Sequence, residues 1–433
     1  MRSIRTRSGS ATFRSGRLQV AANGRLEANG VALEALARRF GTPLYVYDFD
    51  AIHAAYRAYS RAFAGWEHLI CAAVKANGNL ALLRRLAAWG SGFDVVSGGE
   101  LARVRRAGGD AGKVVYSGVG KTAAEMDQAL AAGILLFQVE SEPELELLAE
   151  RAAKRRRKAR FGLRVNPDVA AATHPHIATG ERGHKFGVAM EEAERLYLRS
   201  RRGAMGRWLE AEAIGFHIGS QILETAPFAL AARRVGELGA ALERQGVRLR
   251  TFDAGGGLGI AYQAGQRPPS LAAYAKALRQ DWVAAPGRRL LLEPGRSLTA
   301  AAGTLLARVL YVKRQGARTY VIVDAGANDL LRPSLYGAYH EIVPLRRRPG
   351  RRRAVDVVGP LCETGDAFAH ARPLPPLRAG DGVALLDAGA YGFALSSNYN
   401  ARPRAAEVAL EGGRARLIRR RERTEDLWRG EEG

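Results

Sequence analysis

Eight short apolar segments, separated by helical patterns, constrain the fold of this chain more than any other feature of its sequence. The segments are LICAAVKA (69–76), FDVVSGG (93–99), KVVYSG (113–118), ILLFQVE (134–140), RFGLRVNP (160–167), AIGFHIGS (213–220), LRTFDAGGG (249–257) and RLLLEPGRS (289–297). Buried strands that alternate with helices are typical of a parallel sheet, and eight such units in about 250 residues predict a (β/α)8 TIM barrel. An open doubly wound sheet is the alternative, but it more often has fewer strands and a GxGxxG turn after the first strand. Asn79, Thr122 and Ser141 precede three of the helical patterns and predict N-caps there.

A change of pattern near residue 301 predicts a second domain. Strands then follow one another directly, separated by turns such as PG, AGD and EGG, which is typical of an antiparallel β-barrel or sandwich. The N-terminal RLQVAANGRLEANG carries two Asn-Gly hairpin signals and is expected to join this domain. We therefore predict a chain of α/β plus all-β class with an N-terminal segment over 1–40, a (β/α)8 barrel over 41–300 and a C-terminal β domain with a basic tail over 301–433.

Charge and cysteine content limit the classes of function. The net charge of +23 is spread over short arginine runs without interleaved aromatic residues, so specific nucleic-acid binding is not expected. Cys71 and Cys362 are the only cysteines, which argues against a disulfide framework and fits a reducing cytoplasm. No apolar run reaches about 18 residues, so a membrane-spanning helix is not expected either.

The predicted strand ends carry the candidate chemistry, because barrel enzymes build their sites at the carboxyl ends of the strands. Gly255–Gly257 and the EPGRS turn at 293–297 follow neighbouring strands. Glycine turns let backbone N–H groups approach an anion closely, so these two turns together predict a phosphate cradle. A lone GGG would be no more than a tight turn, but two adjacent glycine turns favour the cradle.

A phosphate cradle, a strand-end lysine and a glutamate suggest pyridoxal 5′-phosphate. Lys75 would form a Schiff base with the aldehyde, and its apolar chain neighbours predict a desolvated amine that loses its proton easily. Glu293 would face the pyridine nitrogen and keep it protonated, and His217 could stack on the ring. Each residue also has an ordinary explanation taken alone: a lysine where a strand meets solvent, a strand-end salt bridge and a satisfied core histidine.

Motifs over about residues 30–415 relate the chain to a known family. They are AAVKAN, DVVSGGEL, SGVGK, RVNPD, THPHIATG, KFG, HIGSQ, DAGGGLGI, EPGRS, RPSLYGAYH, GPLCETGD and AGAYGFALSSNYNARPRAAEV. In this order they resemble the fold-type III, alanine-racemase-like pyridoxal-phosphate-dependent decarboxylases. Within that family they most resemble the branch that converts meso-2,6-diaminopimelate to L-lysine and carbon dioxide, the last step of lysine biosynthesis. A sibling branch acting on ornithine, lysine, arginine or a polyamine precursor is the alternative, as is a relative without catalytic activity, which would be expected to lose the lysine or the cysteine.

The resemblance implies roles for individual residues. Lys75 would be the Schiff-base lysine, His217 would stack on the cofactor ring and Glu293 would meet its pyridine nitrogen. The phosphate and its surroundings would be bound by Ser220, Gly255, Gly256, Gly257, Gly295, Arg296 and Tyr391. No metal site is expected, since His174 and His176 stand in a loop sequence without further ligands.

The family also implies a homodimer with shared active sites. Cys362 would protonate the carbanion left by carbon dioxide and Glu363 would contact the substrate, and in this family both come from the partner subunit. A typical lone cysteine is a small buried hydrophobe, but the flanking Gly, Glu and Asp favour a loop here. We therefore expect an obligate head-to-tail dimer.

The second carboxylate of diaminopimelate calls for arginine, whose planar guanidinium matches a carboxylate. Arg296 and Arg332, with Tyr336, resemble such a clamp, and Tyr391 and Glu363 complete the predicted substrate contacts. A surface arginine is the alternative explanation of Arg332.

Two positions depart from the family pattern. Gly215 stands where the family usually has a second histidine, and His176 stands where a tyrosine is more usual. Related decarboxylases of the sibling branch also lack the histidine at the position of Gly215.

Overall fold

The computed structural model describes residues 18–170 and 185–432, together with the backbone of 4–5 and 11–12. His174 and His176 lie outside the described residues. The chain forms two compact units, which we call the barrel unit (Ala55–Ile260 and Arg267–Leu298) and the β unit (Met1–Ala54, Ala261–Gln266 and Thr299–Gly433). No helix among the described residues combines the length and the apolar composition needed to cross a bilayer.

The N-terminal segment is a meander of short antiparallel strands. Its elements are β1 (Ile4–Arg5), β2 (Ala11–Thr12), β3 (Leu18–Val20), β4 (Leu26–Ala28), β5 (Val31–Ala32) and α1 (Leu33–Phe40). Strand β6 (Leu44–Asp48) and helix α2 (Phe49–Ala62) follow this segment. Asn29 and Gly30, with φ of 51° and 75°, form the two-residue connection between β4 and β5. Positive φ at both positions is the geometry that Asn-Gly favours in a hairpin, so this predicted turn is confirmed.

The barrel unit contains a closed ring of eight parallel strands. Its strands are β7 (His68–Ala73), β8 (Gly92–Val95), β9 (Val114–Tyr116), β10 (Leu136–Val139), β11 (Ala159–Asn166), β12 (Val188–Ala189), β13 (Leu209–Gly215), β14 (Thr251–Asp253) and β15 (Arg289–Leu292). The two-residue β12 is not part of the ring of eight, because it pairs in parallel only with the last two residues of β11. The ring closes because β15 pairs in parallel with β7, through Leu290 with His68 and Leu292 with Ile70. The (β/α)8 barrel is confirmed, and the open doubly wound sheet is excluded.

Helices cover the ring between successive strands. They are α3 (Leu80–Ala88), α4 (Gly98–Arg106), α5 (Ala123–Ala132), α6 (Glu142–Arg155), α7 (Met190–Ser200), α8 (Gly203–Trp208), α9 (Ala226–Arg244), α10 (Leu271–Leu278) and α11 (Arg296–Thr299). Asn79, Thr122 and Ser141 accept hydrogen bonds from backbone N–H groups of the first turns of α3, α5 and α6, as their side chains predict. These caps begin each helix shortly after a strand ends, which keeps the connecting turns short at the carboxyl edge of the barrel.

The β unit contains, besides the N-terminal meander, a mostly antiparallel sheet of nine strands. Its C-terminal elements are β16 (Gly303–Gln315), β17 (Arg318–Val323), α12 (Arg332–Tyr336), β18 (Ile342–Pro344), β19 (Arg353–Val358), β20 (Ala367–Leu374), β21 (Gly382–Leu385), β22 (Ala406–Glu411) and β23 (Arg414–Arg419). The strand order is β20-β19-β17-β16-β6-β22-β23, and β21 pairs with both β16 and β18. The N-terminal segment joins this unit as predicted, because Leu18, Leu26 and Leu36 share a buried core with Leu306 and Val408.

Strand β6 lies within the range 41–300 that the sequence assigns to the barrel, but it forms part of the β unit. It pairs antiparallel with Gly303–Leu306 of β16 and parallel with Ala406–Leu410 of β22. All five residues of β6 are buried. A strand buried on both faces reads as a continuous apolar run in either sheet, so its pattern does not say which sheet it joins.

Candidate active site

Lys75 follows the first barrel strand. Strand β7 ends at Ala73, and a single 3-10 turn over Val74–Ala76 carries the lysine. Its Nζ lies 2.6 Å from Oδ2 of Asp94, a fully buried residue of the neighbouring strand β8. The amine is therefore ion-paired, and its side chain is 35% exposed. The predicted desolvated amine is wrong, because the chain neighbours of Lys75 do not reveal a carboxylate that comes from another strand.

Three buried carboxyl groups lie close together inside the barrel unit: Asp94, Asp253 and Glu293. Asp253 accepts hydrogen bonds from Nε2 of Gln138 at 2.7 Å and from the N–H of Gly255 at 2.9 Å. Burial raises the pKa of Asp253 to about 6. Burial and then the charges of Asp253 and Asp94 raise the pKa of Glu293 well above its ordinary value. The three carboxyl groups lie near Lys75 and repel one another when they are ionised. A proton shared among them lowers this repulsion.

Glu293 also has an unsatisfied atom. Its Oε1 is buried and forms no hydrogen bond with the described residues. A buried polar atom without a partner is costly, so a site that retains one is suited to a ligand that supplies the missing donor. A protonated heterocyclic nitrogen is such a donor.

The three consecutive glycines bring several strand ends into close contact. A Cβ at Gly255 would lie 2.4 Å from the carbonyl oxygen of Phe216, and one at Gly256 would lie 2.3 Å from that of Glu293. A Cβ at Gly257, where φ is +106°, would lie 2.5 Å from the carbonyl oxygen of Gly219. No side chain fits at these positions, so the loop needs glycine to approach its neighbours and leaves a backbone-lined cradle.

His217 follows strand β13 and contacts this loop. Its Nδ1 accepts a hydrogen bond from the N–H of Gly256 at 3.1 Å, so the neutral ring carries its proton on Nε2. Burial, and then the positive charges of Arg164 and Lys75, lower the pKa of His217 well below its ordinary value. The imidazole is therefore neutral and is fixed in one tautomer.

Arg164 and Glu140, which come from neighbouring strands, form an ion pair at the same edge of the barrel. Nη1 of Arg164 lies 3.1 Å from Oε2 of Glu140, and Nη2 of Arg164 donates to the carbonyl oxygen of His217 at 3.1 Å. The carboxylate of Glu140 also accepts from the N–H groups of Gly118 and Gly187. Glu140 ends the predicted strand segment ILLFQVE, whereas Arg164 lies inside the segment RFGLRVNP and was not among the predicted site residues.

The site residues that sequence reasoning missed share a property that is visible in the sequence. Asp94, Gln138, Arg164 and Asp253 are polar residues inside parallel barrel strands, which are usually apolar throughout. Such a residue needs a polar or charged partner, and each of the four has one in this structure.

Ser220 and Arg296 lie together beside the cradle. Nη2 of Arg296 donates to Oγ of Ser220 at 2.9 Å, and the guanidinium is buried at the start of α11. Gly295 precedes it in the same turn. The structure thus brings together the barrel-unit residues that the sequence grouped around phosphate.

The remaining predicted residues lie in the β unit. Arg332, in α12, is only 5% exposed, which excludes the alternative of a surface arginine. Tyr336 ends the same helix, and Tyr391 lies in a turn with φ of 56°. Cys362 is exposed rather than buried in a core.

The loop around Cys362 has its own contacts within the β unit. The N–H of Cys362 donates to Oδ1 of Asn400 at 3.2 Å, and the hydroxyl of Tyr399 donates to the carboxylate of the exposed Glu363. The backbone of the thiol residue is thereby held while its side chain stays accessible.

Lys121, from the SGVGK motif, shows what a structural lysine looks like in this barrel. Its Nζ donates to the carbonyl oxygens of Gly118 at 2.8 Å and Gln138 at 2.6 Å, and to Oε1 of Glu144 at 2.6 Å. All three ammonium donors are satisfied within the fold. The ammonium group of Lys121 is therefore held in place. It links neighbouring strand ends and is not placed to act as a nucleophile.

Gly215, where the related family usually has histidine, is tightly enclosed. A Cβ there would lie 2.5 Å from Cβ of Asp253 and 2.9 Å from Nε2 of Gln138. The hydrogen-bonded pair of Gln138 and Asp253 thus occupies the space that a side chain at this position would need.

Comparisons with known proteins identify the family of the chain. Residues 49–300 match the family model of the pyridoxal-dependent decarboxylases, pyridoxal binding domain. Diaminopimelate decarboxylase of Pseudomonas aeruginosa is 50% identical over 408 residues, which cover 94% of this chain and 96% of the relative.

Two solved structures are similar over nearly their whole length. Diaminopimelate decarboxylase of Helicobacter pylori, complexed with L-lysine, has a TM-score of 0.87 and 43% identity, covering 92% of this chain and 98% of that one. The enzyme of M. jannaschii, also in complex with L-lysine, has a TM-score of 0.89 and 36% identity, covering 96% and 98%. The chain therefore belongs to the pyridoxal-dependent decarboxylases and, within them, to the diaminopimelate decarboxylase family.

Proposed function

We propose that this chain decarboxylates meso-2,6-diaminopimelate to L-lysine and carbon dioxide with pyridoxal 5′-phosphate as cofactor. The observation that carries the proposal is the 50% identity to a diaminopimelate decarboxylase over 94% of the chain. The lysine complexes of two similar structures support it, because L-lysine is the product of this reaction. The reaction is the last step of lysine biosynthesis.

The barrel unit offers groups that fit each part of the cofactor. Lys75 would bind the aldehyde carbon, and the unsatisfied Oε1 of Glu293 would accept a hydrogen bond from the pyridine nitrogen. The phosphate would be held by Ser220, Gly255, Gly256, Gly257, Gly295 and Arg296, and the family resemblance adds Tyr391. When bound, the cofactor supplies an electron sink for the pair left on the substrate carbon after carbon dioxide departs.

His217 would stack on the ring as a neutral imidazole. Its hydrogen bond from Gly256 fixes the plane of the ring, and its lowered pKa keeps it uncharged near neutrality. A neutral ring held in this plane would contact the face of the cofactor ring. Because it is uncharged, it would not place a second cation beside Lys75.

Arginine side chains would recognise the substrate's second carboxylate. Arg296 and Arg332 are both buried, and a guanidinium binds a carboxylate through two parallel hydrogen bonds. Tyr336 and Tyr391 would add hydroxyl contacts, and Glu363 would take the distal ammonium. The side chains of the sibling branch's basic substrates, such as ornithine, end in a cationic group without a second carboxylate, so they do not need an arginine to bind one.

The exposed Cys362 would donate the proton that replaces carbon dioxide. We propose that each active site of a homodimer uses the partner's Cys362 and the partner's Glu363. Support comes from the exposure of residues 362–365 and from the hydrogen bond that fixes the backbone of Cys362. The two cysteines are not paired with each other, which suits the reducing cytoplasm proposed as the site of action.

A substrate panel tests the function. The purified chain, supplied with pyridoxal 5′-phosphate, is incubated separately with meso-diaminopimelate, ornithine, lysine and arginine, and the products are identified by mass spectrometry. L-Lysine and carbon dioxide from meso-diaminopimelate are expected. Turnover of ornithine or arginine without turnover of meso-diaminopimelate would instead establish the sibling activity.

A further inference from the structure

A buried histidine and a tyrosine enclose Arg332 within the β unit. Nη1 of Arg332 lies 2.8 Å from Nε2 of His340, and the guanidinium carbon lies 4.7 Å from the ring centroid of Tyr262. The rings of Tyr262 and His340 meet edge to face, with centroids 5.7 Å apart. His340 is fully buried, so these contacts are shielded from water.

The hydrogen bonds of His340 determine its protonation. Nδ1 lies 2.7 Å from the carbonyl oxygen of Leu386, which can only accept, so Nδ1 must carry a proton. Nε2 faces the guanidinium of Arg332, which can only donate, so Nε2 must present its lone pair. The neutral ring protonated on Nδ1 is the single form that satisfies both contacts.

We propose that His340 is a positioning residue that orients Arg332 for the substrate carboxylate that is not removed. This inference rests on the proposed function, because it assigns a purpose to the substrate clamp. The imidazole holds one end of the planar guanidinium, and the ring of Tyr262 holds its face. Because its end and its face are both held, the guanidinium of Arg332 has one orientation. A carboxylate that binds through two parallel hydrogen bonds requires such a fixed orientation.

Ligand binding to the cofactor-loaded protein separates this role from general stability. L-Lysine retains the carboxylate at the end that does not react, whereas cadaverine has the same two amines and lacks that carboxylate. The dissociation constants of both are measured by calorimetry for the wild type, His340→Leu and His340→Gln. His370→Leu and His370→Gln are the controls, because this histidine is 74% exposed on β20.

His340→Leu is expected to weaken L-lysine about tenfold or more, since a hydrogen bond to a charged group is lost, and to leave cadaverine unchanged. The KM for meso-diaminopimelate should rise by a similar factor while kcat changes little. His340→Gln keeps an acceptor for Arg332 and should recover most of the loss. Equal effects on both ligands, or no effect on L-lysine, would overturn the proposal.

The tautomer of His340 provides a second test that needs no substrate. Nitrogen NMR of histidine-labelled protein at pH 7.5 should show a neutral ring protonated on Nδ1. A ring protonated on Nε2 or on both nitrogens would contradict the inference even if His340→Leu failed to fold. If the wild type does not turn over meso-diaminopimelate, the proposed function fails, and the NMR result still decides the arrangement of His340.

Discussion

At the scale of residues, Lys75 and Lys121 occupy the same barrel but have opposite environments. Lys121 has three protein acceptors around its ammonium group, and its side chain is 1% exposed. The side chain of Lys75 is 35% exposed, and its ion-pair partner Asp94 is one of three neighbouring buried carboxyl groups. The first arrangement immobilises an amine, whereas the second leaves it reachable by a ligand.

Lys75→Ala should abolish both decarboxylation and covalent attachment of the cofactor, because the alanine variant has no amine to bind the aldehyde. Absorption spectroscopy with pyridoxal 5′-phosphate is expected to lose the band of the protein-linked cofactor. Lys158→Ala, at an exposed lysine before β11, is the matched control and should keep band and activity. A Lys75→Ala protein with full activity would refute the assignment.

Asp387 should make the stability of the chain depend on pH. Burial raises the pKa of Asp387 to about 7, against the opposing effect of Arg332. In the unfolded chain an aspartate titrates near pH 4, so between about pH 4 and 7 the folded state binds more protons and its stability falls as pH rises. The loss is at most about 4 kcal/mol for a shift of about three units.

Asp387→Asn removes this titration and should raise the melting temperature more at pH 8 than at pH 5. The φ of 58° at Asp387 is one that asparagine adopts as readily as aspartate, so the substitution adds no backbone strain. Calorimetry at the two pH values measures the effect, with Asp281→Asn at an exposed aspartate as control. An equal gain at both pH values would show that the Asp387 carboxyl group does not titrate in this range.

At the scale of elements, the turn after β14 determines how closely the strand ends can approach. Positive φ at Gly255 and Gly257 folds the chain back, and Gly256 packs against the carbonyl of Glu293. The same turn provides the N–H groups that bond to Asp253 and His217. One loop therefore organises a carboxyl group, an imidazole and the cradle.

Gly256→Ala should weaken cofactor binding by at least tenfold, because the added Cβ would lie 2.3 Å from a carbonyl oxygen and would push the loop aside. Fluorescence titration of the cofactor-free protein gives the dissociation constant. Gly120→Ala is the control, since a Cβ there has no neighbour within 4 Å. Unchanged affinity in Gly256→Ala would remove this loop from the cofactor site.

At the scale of the whole molecule, the proposed shared sites predict complementation between two inactive variants. Lys75→Ala and Cys362→Ala are each expected to be inactive. Mixed under conditions that let subunits exchange, they should regain about one quarter of wild-type activity, because half of the dimers are mixed and each mixed dimer has one intact site. Absence of any recovery, with exchange shown by mass spectrometry, would place both residues in one subunit's site.

The sequence by itself determined the architecture and the position of the chemistry. Parallel strands buried on both faces appear as continuous apolar runs, and caps and glycine turns act locally, so the eight barrel strands and three caps were predictable. Only the tertiary structure decided which side chains meet. Asp94 reaches Lys75 from the neighbouring barrel strand, and His340 reaches Arg332 from the segment that follows α12. Strand β6 joins the β unit by pairing with β16 and β22, which are distant in the sequence. Periodicity reports that a residue is buried, whereas its partner and its protonation depend on the neighbours that folding brings to it.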